Sequence, residues 1–133
     1  MLVQTGVALA LALLALLLPF AYGPGAMAQL GAATMHGGRE AMPEIRGWPG
    51  RARRAHANLV ENLVPFAIVA ATLQATGTTS PLSGAAALAF LALRLTHAAA
   101  YVANLGRLRT AAYLGGVLAT LATAAPLLAL PVR

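Results

Sequence analysis

Apolar residues fall into four blocks along the chain, and the polar residues between and inside them decide how the whole is read. Residues 1–22 are apolar apart from Gln4, Thr5 and Gly6 near the start and Pro19 near the end. As a helix this block rises about 33 Å, enough to cross a hydrocarbon core. A cleaved signal peptide would begin with positive charge and have a shorter apolar core. The first charge here is Arg39, so a retained span is expected. Residues 23–53 form the long polar connection. Gly23-Pro24-Gly25, Gly37-Gly38, Pro43 and Trp48-Pro49-Gly50 read as turn or breaker signals within it. Trp48 suits an anchor at headgroup level, and His36 reads as a solvated loop residue.

A second helix is expected over 54–76. Its continuous apolar run, 63–73, is too short to span alone, so the polar turns before it must make up the length. That puts Glu61 and Asn62 at membrane depth, with Pro65 removing one backbone hydrogen bond nearby. An uncharged turn at 76–80 leads to Pro81, well suited to a first helical turn, and a third helix over 82–104. A tight turn bearing Arg107 and Arg109 precedes a fourth helix over 110–130, where Gly115 and Gly116 permit close helix approach. The pattern predicts an all-α, integral membrane four-helix bundle, one domain over 1–133.

Composition narrows the class. The chain is 59% hydrophobic and 9% charged, with a mean hydropathy of +0.75, where a soluble domain carries about 25% charged residues. Without cysteine there is no disulfide framework, thiolate metal site or cysteine nucleophile. The net charge of +6 is arginine against glutamate. Nucleic-acid binding is not expected, because the arginines sit at the ends of apolar segments and aromatic residues are too few for stacking platforms. Arg39, Arg46, Arg51, Arg53, Arg54, Arg107 and Arg109 all lie at the first and third connections. The positive-inside rule then makes those connections cytoplasmic and puts both termini on the non-cytoplasmic side; Arg133 alone runs against this.

Two helix faces carry candidate chemistry. At about 100° per residue, Arg54, Asn58, Glu61 and Pro65 share a narrow arc of the second helix, while His56 points to another side. On the third helix Arg94, His97, Tyr101 and Asn104 fall within about 80° of one another. Lipid would penalise Arg94 heavily, so this stripe faces the bundle. A structural ion pair between Arg94 and Glu61, the only acid expected at membrane depth, is one reading. Helix–helix hydrogen bonding is the plain alternative for His97 and Tyr101. Asn104 reads as a cap of the helix end.

The run Arg53-Arg-Ala-His-Ala-Asn-Leu-Val-Glu-Asn-Leu-Val-Pro-Phe66 closely resembles the signature of the membrane-associated proteins in eicosanoid and glutathione metabolism, the MAPEG family. The form closest to it is that of the microsomal glutathione S-transferases. Arg94-x-x-His97-x-x-x-Tyr101, followed by Arg109 and Ala111, is a second and weaker match. The resemblance implies a homotrimer with glutathione held between neighbouring subunits near the cytoplasmic face. It implies glutathione contacts from Arg54, Asn58 and Glu61, secondary contacts from His56 and Asn62, and further contacts from His97 and Tyr101. Arg109 matches an arginine that stabilises the glutathione thiolate in leukotriene-C-synthesising relatives, although the spacing from Tyr101 is one residue longer here. Which arginine of the first connection joins the site, Arg39 or Arg46, stays open.

The residue types suit that ligand. Arginine forks match carboxylates in bidentate geometry, Glu61 can receive an ammonium, and Asn58 can donate or accept toward peptide amides. A nearby arginine in a partly dry site raises a thiol's thiolate fraction, which would make Arg109 the catalytic residue, with Arg107 as its substitute should the extra residue shift the register. Glutathione enters as co-substrate, and no metal or other cofactor is expected. The function expected is a glutathione-dependent transferase or peroxidase acting on lipophilic small molecules that arrive through membrane lipid, in what is taken to be a bacterial inner membrane. The alternative is a non-catalytic lipid-binding or scaffolding member of the same family. A small transporter would want inverted repeats, and none is visible.

Overall fold

The computed structural model describes residues 1–38 and 42–130. Arg39, Glu40 and Arg133 lie outside the described residues. Helices α1 (Val3–Leu30), α2 (Ala32–His36), α3 (Gly47–Thr76), α4 (Pro81–Val102) and α5 (Gly106–Ala124) follow in order, with a 3₁₀ turn over Ala125–Ala129. Among the described residues, four helices are long and apolar enough to cross a membrane: α1, α3, α4, and α5 continued through Ala129.

The spans fall where the apolar blocks predict, but the arginine-rich end is built differently from a loop. α1 does not stop near Tyr22; it runs two turns further through Pro19, Gly23, Pro24 and Gly25 to Leu30. Each proline removes one intrahelical bond, a loss that neighbouring helices and local adjustment offset in a membrane bundle. Gly25 acts as a contact point. A Cβ there would lie 2.7 Å from Pro49 Cγ and 3.4 Å from Trp48 Cζ2, so the glycine lets α1 close onto the start of α3. α3 likewise begins at Gly47, well before Arg54, because Trp48-Pro49-Gly50 forms its first turn. Proline is tolerated there since those N–H groups lack intrahelical partners anyway. A Cβ on Gly50 would overlap the Ile45 carbonyl oxygen, so the turn requires glycine. Gln29 clamps the entry: its Nε2 donates to the Arg46 carbonyl at 3.0 Å and its Oε1 accepts from the Arg46 N–H at 2.9 Å. His36 is exposed at the end of short α2, and Trp48 is 48% exposed.

The other helix ends follow local rules. Ser80 caps α4, its hydroxyl accepting from the Ser83 N–H at 3.1 Å, with Pro81 in the first turn. After α4 the chain turns through Asn104 at φ 62°, and the Leu105 N–H returns to the Ala100 carbonyl at 2.8 Å. This is a left-handed C-terminal cap of the kind asparagine tolerates.

The core runs along the seam of α1, α3, α4 and α5. Phe66 and Phe90 stack with centroids 4.1 Å apart and planes 8° from parallel, among Val7, Leu11, Leu59, Ala70, Ala87 and Ala119. Alanines and glycines let helices approach closely where larger residues would hold them apart. Gly115 abuts the Leu93 methyls, and Gly116 abuts the Arg94 guanidinium. At the far end, Gln4 Nε2 donates to Ser83 Oγ at 2.9 Å, and that hydroxyl donates to the Thr123 carbonyl at 2.8 Å. This buried chain joins α1, α4 and α5 with its polar groups satisfied. On α1, Leu13, Leu16, Leu17 and Phe20 are exposed, Phe20 by 79%, as suits a face that meets lipid.

Candidate functional site

Two contacts set the register of α3 against α4 at the arginine-rich end. Arg51 Nε donates to the Val102 carbonyl at 2.8 Å, placing a cation on the C-terminus of α4, where the helix dipole favours it. Further in, Arg94 Nη1 donates to Asn58 Oδ1 at 3.2 Å. The helices run antiparallel between these points, so Arg54 sits level with His97 and Tyr101 along the bundle axis.

Arg54, Asn58 and Glu61 succeed one another on one face of α3, as the periodicity predicts. Arg54 is half exposed and reaches Glu44 Oε1 at 3.6 Å, the one ion pair among the described residues. An exposed pair of this kind contributes about 0–1 kcal/mol. Arg54 also lines a cleft with Pro43, Glu44, Ile45, Gly50 and Ala57. Asn58 is half-buried, and Glu61 is exposed on the single chain. Asn62 turns its amide back along the helix, Nδ2 donating to the Asn58 carbonyl at 2.8 Å. His56 faces α1, its Nδ1 2.9 Å from the Tyr22 hydroxyl.

The stripe on α4 faces α5. Arg94 is 2% exposed and His97 4%. Arg94 Nη2 donates to the Ala112 carbonyl at 3.2 Å and the Tyr113 carbonyl at 3.4 Å, and the guanidinium lies 5.6 Å from the Phe90 ring and 5.7 Å from the Tyr113 ring. Arg94 therefore ties α3, α4 and α5 together through neutral groups. An Arg94–Glu61 pair is not formed; the place expected for the carboxylate is taken by Asn58 and two backbone carbonyls. His97 packs edge-on to Tyr101 at 5.6 Å and 6.3 Å from Tyr113. Arg109 covers the outer end of this column, its Cζ 4.7 Å from the Tyr101 ring centroid.

Two aromatic residues of the site escaped the sequence reading. Tyr113 stands four residues after Arg109 on the same helix, a spacing that puts both on one face. Tyr22 pairs with His56 across 34 positions, and nothing in local pattern announces that.

Four spans with a polar cluster at one end, an arginine sealed inside and a carboxylate on an outer helix face, define a polytopic integral membrane protein. The chain matches the MAPEG family over residues 5–129, and it belongs to that family. Membership supports a membrane role in glutathione-related or eicosanoid metabolism. No curated protein and no solved structure matches the chain significantly.

Proposed function

We propose that the chain is a membrane glutathione-dependent transferase or peroxidase, and that neighbouring copies in a homotrimer complete its site. The observation that carries this reading is the Arg54–Asn58–Glu61 face of α3. Counted back from Thr76, roughly 20 helical residues cross a bilayer core, which leaves Glu61 about a turn inside it. A carboxylate at that depth faces a bundle interior or a polar cavity rather than lipid. It is exposed on the single chain, so a second copy and a polar ligand are what would cover it.

On this reading Arg54 takes a glutathione carboxylate, Glu61 its ammonium and Asn58 a peptide or carboxylate oxygen. His56, Asn62, His97 and Tyr101 supply further contacts at the same end of the bundle. Arg109 holds the sulfur as thiolate through its fixed positive charge. The thiol proton leaves to solvent, the thiolate forms a C–S bond to the electrophile, and the leaving group departs with its electron pair. The electrophile enters laterally from the bilayer, and the arginine-rich end faces the cytoplasm, in keeping with the positive-inside rule.

The test is calorimetric titration of detergent-purified protein with glutathione, beside conjugation of 1-chloro-2,4-dinitrobenzene as a model electrophile. Native protein should bind glutathione, and the Arg54→Ala/Glu61→Ala variant should not. Arg109→Ala should bind glutathione and lose turnover; unchanged turnover removes the thiolate role. Binding without any turnover in native protein would leave a lipid-binding or scaffolding member, and no binding heat would overturn the glutathione reading.

A further inference from the structure

Arg94 is an unusual residue to bury for stability alone. It carries a permanent charge, is 2% exposed in a membrane span, and has no carboxylate partner among the described residues. Its Nε also lacks any hydrogen-bond partner among them, which adds to the cost of burying it. Each of the other two nitrogens is hydrogen-bonded. Nη2 is fixed to α5 by the Ala112 and Tyr113 carbonyls, and Nη1 meets Asn58 Oδ1 at 3.2 Å. Gly116 supplies the space, since a Cβ there would lie 2.9 Å from Arg94 Cζ. The Ala112 and Tyr113 carbonyls and the space at Gly116, all on α5, therefore hold one side of the guanidinium independently of α3.

That pose decides which way the Asn58 amide faces. A guanidinium is donor-only, so only the oxygen of the amide can meet it; the flipped amide would set N–H against N–H. Asn58 Nδ2 has no partner among the described residues and is not among the buried polar atoms left unbonded, so it reaches the surface of the chain. The helix arc there carries Arg54 and Glu61. We propose that Arg94 is a positioning residue for ligand recognition: by occupying Asn58 Oδ1 it presents Asn58 as a pure donor between Arg54 and Glu61. The group that meets Asn58 is then an acceptor, a carboxylate or peptide carbonyl oxygen, and an ammonium is confined to Glu61. This rests on the glutathione reading for the identity of the ligand, but the orientation of Asn58 does not.

Two measurements on the full chain separate those dependencies. In lipid nanodiscs without ligand, the Asn58 side-chain NH₂ signal of ¹⁵N-labelled protein is identified by its loss in Asn58→Ala. It should exchange with water in native protein and shift when Arg94 becomes Lys or Gln. A signal unmoved by both substitutions overturns the proposal whatever glutathione does. The second measurement is a double-mutant cycle in glutathione affinity, with Arg94→Lys alongside Arg94→Gln so that one folded variant suffices, and melting as the check on folding. Replacing Arg94 should weaken binding about tenfold, the equivalent of one ligand hydrogen bond, and should change nothing further once Asn58 is Ala. An equal loss in both backgrounds would make Arg94 merely structural and overturn the proposal. Should native protein bind no glutathione, the reading of the ligand fails, and the ligand-free signal alone decides for or against the positioning role.

Discussion

Gly116→Ala is the sharpest test of how the arginine is seated. The added Cβ would overlap Arg94 Nη2 and lie 2.9 Å from Cζ and 3.0 Å from Nε. A free arginine would swing aside at little cost, but this guanidinium is held at 3.2 Å by Asn58 Oδ1 and at 3.2 Å by the Ala112 carbonyl, with ring faces on two sides. Moving it breaks at least one hydrogen bond to a charged donor, each contributing about 1.5–3 kcal/mol. The higher helix propensity of alanine returns about 1 kcal/mol. With one bond broken, a net loss of about 0.5–2 kcal/mol follows from those two terms. Gly115→Ala is the internal control, because its Cβ meets only the Leu93 methyls at 3.1 and 3.2 Å, which can rotate away. Thermal unfolding in one detergent reads the difference, and Gly116→Ala should melt about 4 °C or more below Gly115→Ala. If the two variants melt together, the guanidinium is not fixed against α5.

Other outcomes follow from the same contacts. Ser83→Ala leaves Gln4 Nε2 with only Thr79 Oγ1 at 3.5 Å, which should cost about 1–3 kcal/mol. Adding Gln4→Leu should recover most of that loss, because both partners then become apolar; additive losses in the melting temperatures would refute the buried chain. Gly50→Ala pushes a Cβ onto the Ile45 backbone carbonyl, which cannot rotate away, whereas Gly84 has nothing within 4 Å of its Cβ position. Gly50→Ala should therefore lower the melting temperature by at least the equivalent of about 1–3 kcal/mol while Gly84→Ala leaves it level or higher.

The parts of the fold that could be read ahead are those dictated by solvent. Apolar runs of spanning length have one use, and the four spans appear where they stand. Pro81 and Asn104 were legible because helix-end signals depend on a residue and its nearest neighbours. Gly25 and Gly50 were not, because their meaning lies in what approaches them. Glycine beside proline signals a break only if the chain is free to turn there, and here the glycines admit Pro49 and the Ile45 carbonyl into close packing. Periodicity correctly put Arg94 on a bundle face, but it could not name its partners. The partners are largely backbone carbonyls of α5, and no side-chain pattern encodes those.

The separation of Arg94 from Glu61 has a physical consequence for any site at this end. Opposite charges at membrane depth ordinarily pair, since leaving either alone costs about 2.5–3.5 kcal/mol or more. Here the cation is held by neutral oxygens inside the bundle, and the anion has no ion-pair partner among the described residues. Asn58 stands between them, one oxygen toward Arg94 and its amide nitrogen toward the surface. A direct Arg94–Glu61 pair would lower the charge burden of the single chain, but it would also occupy the carboxylate that the proposed site assigns to a ligand ammonium. With the arginine held elsewhere, the Glu61 carboxylate stays open to whatever covers the α3 face. The proposed function accounts for both features at once: a neighbouring copy and a ligand ammonium would cover the carboxylate that the single chain leaves exposed.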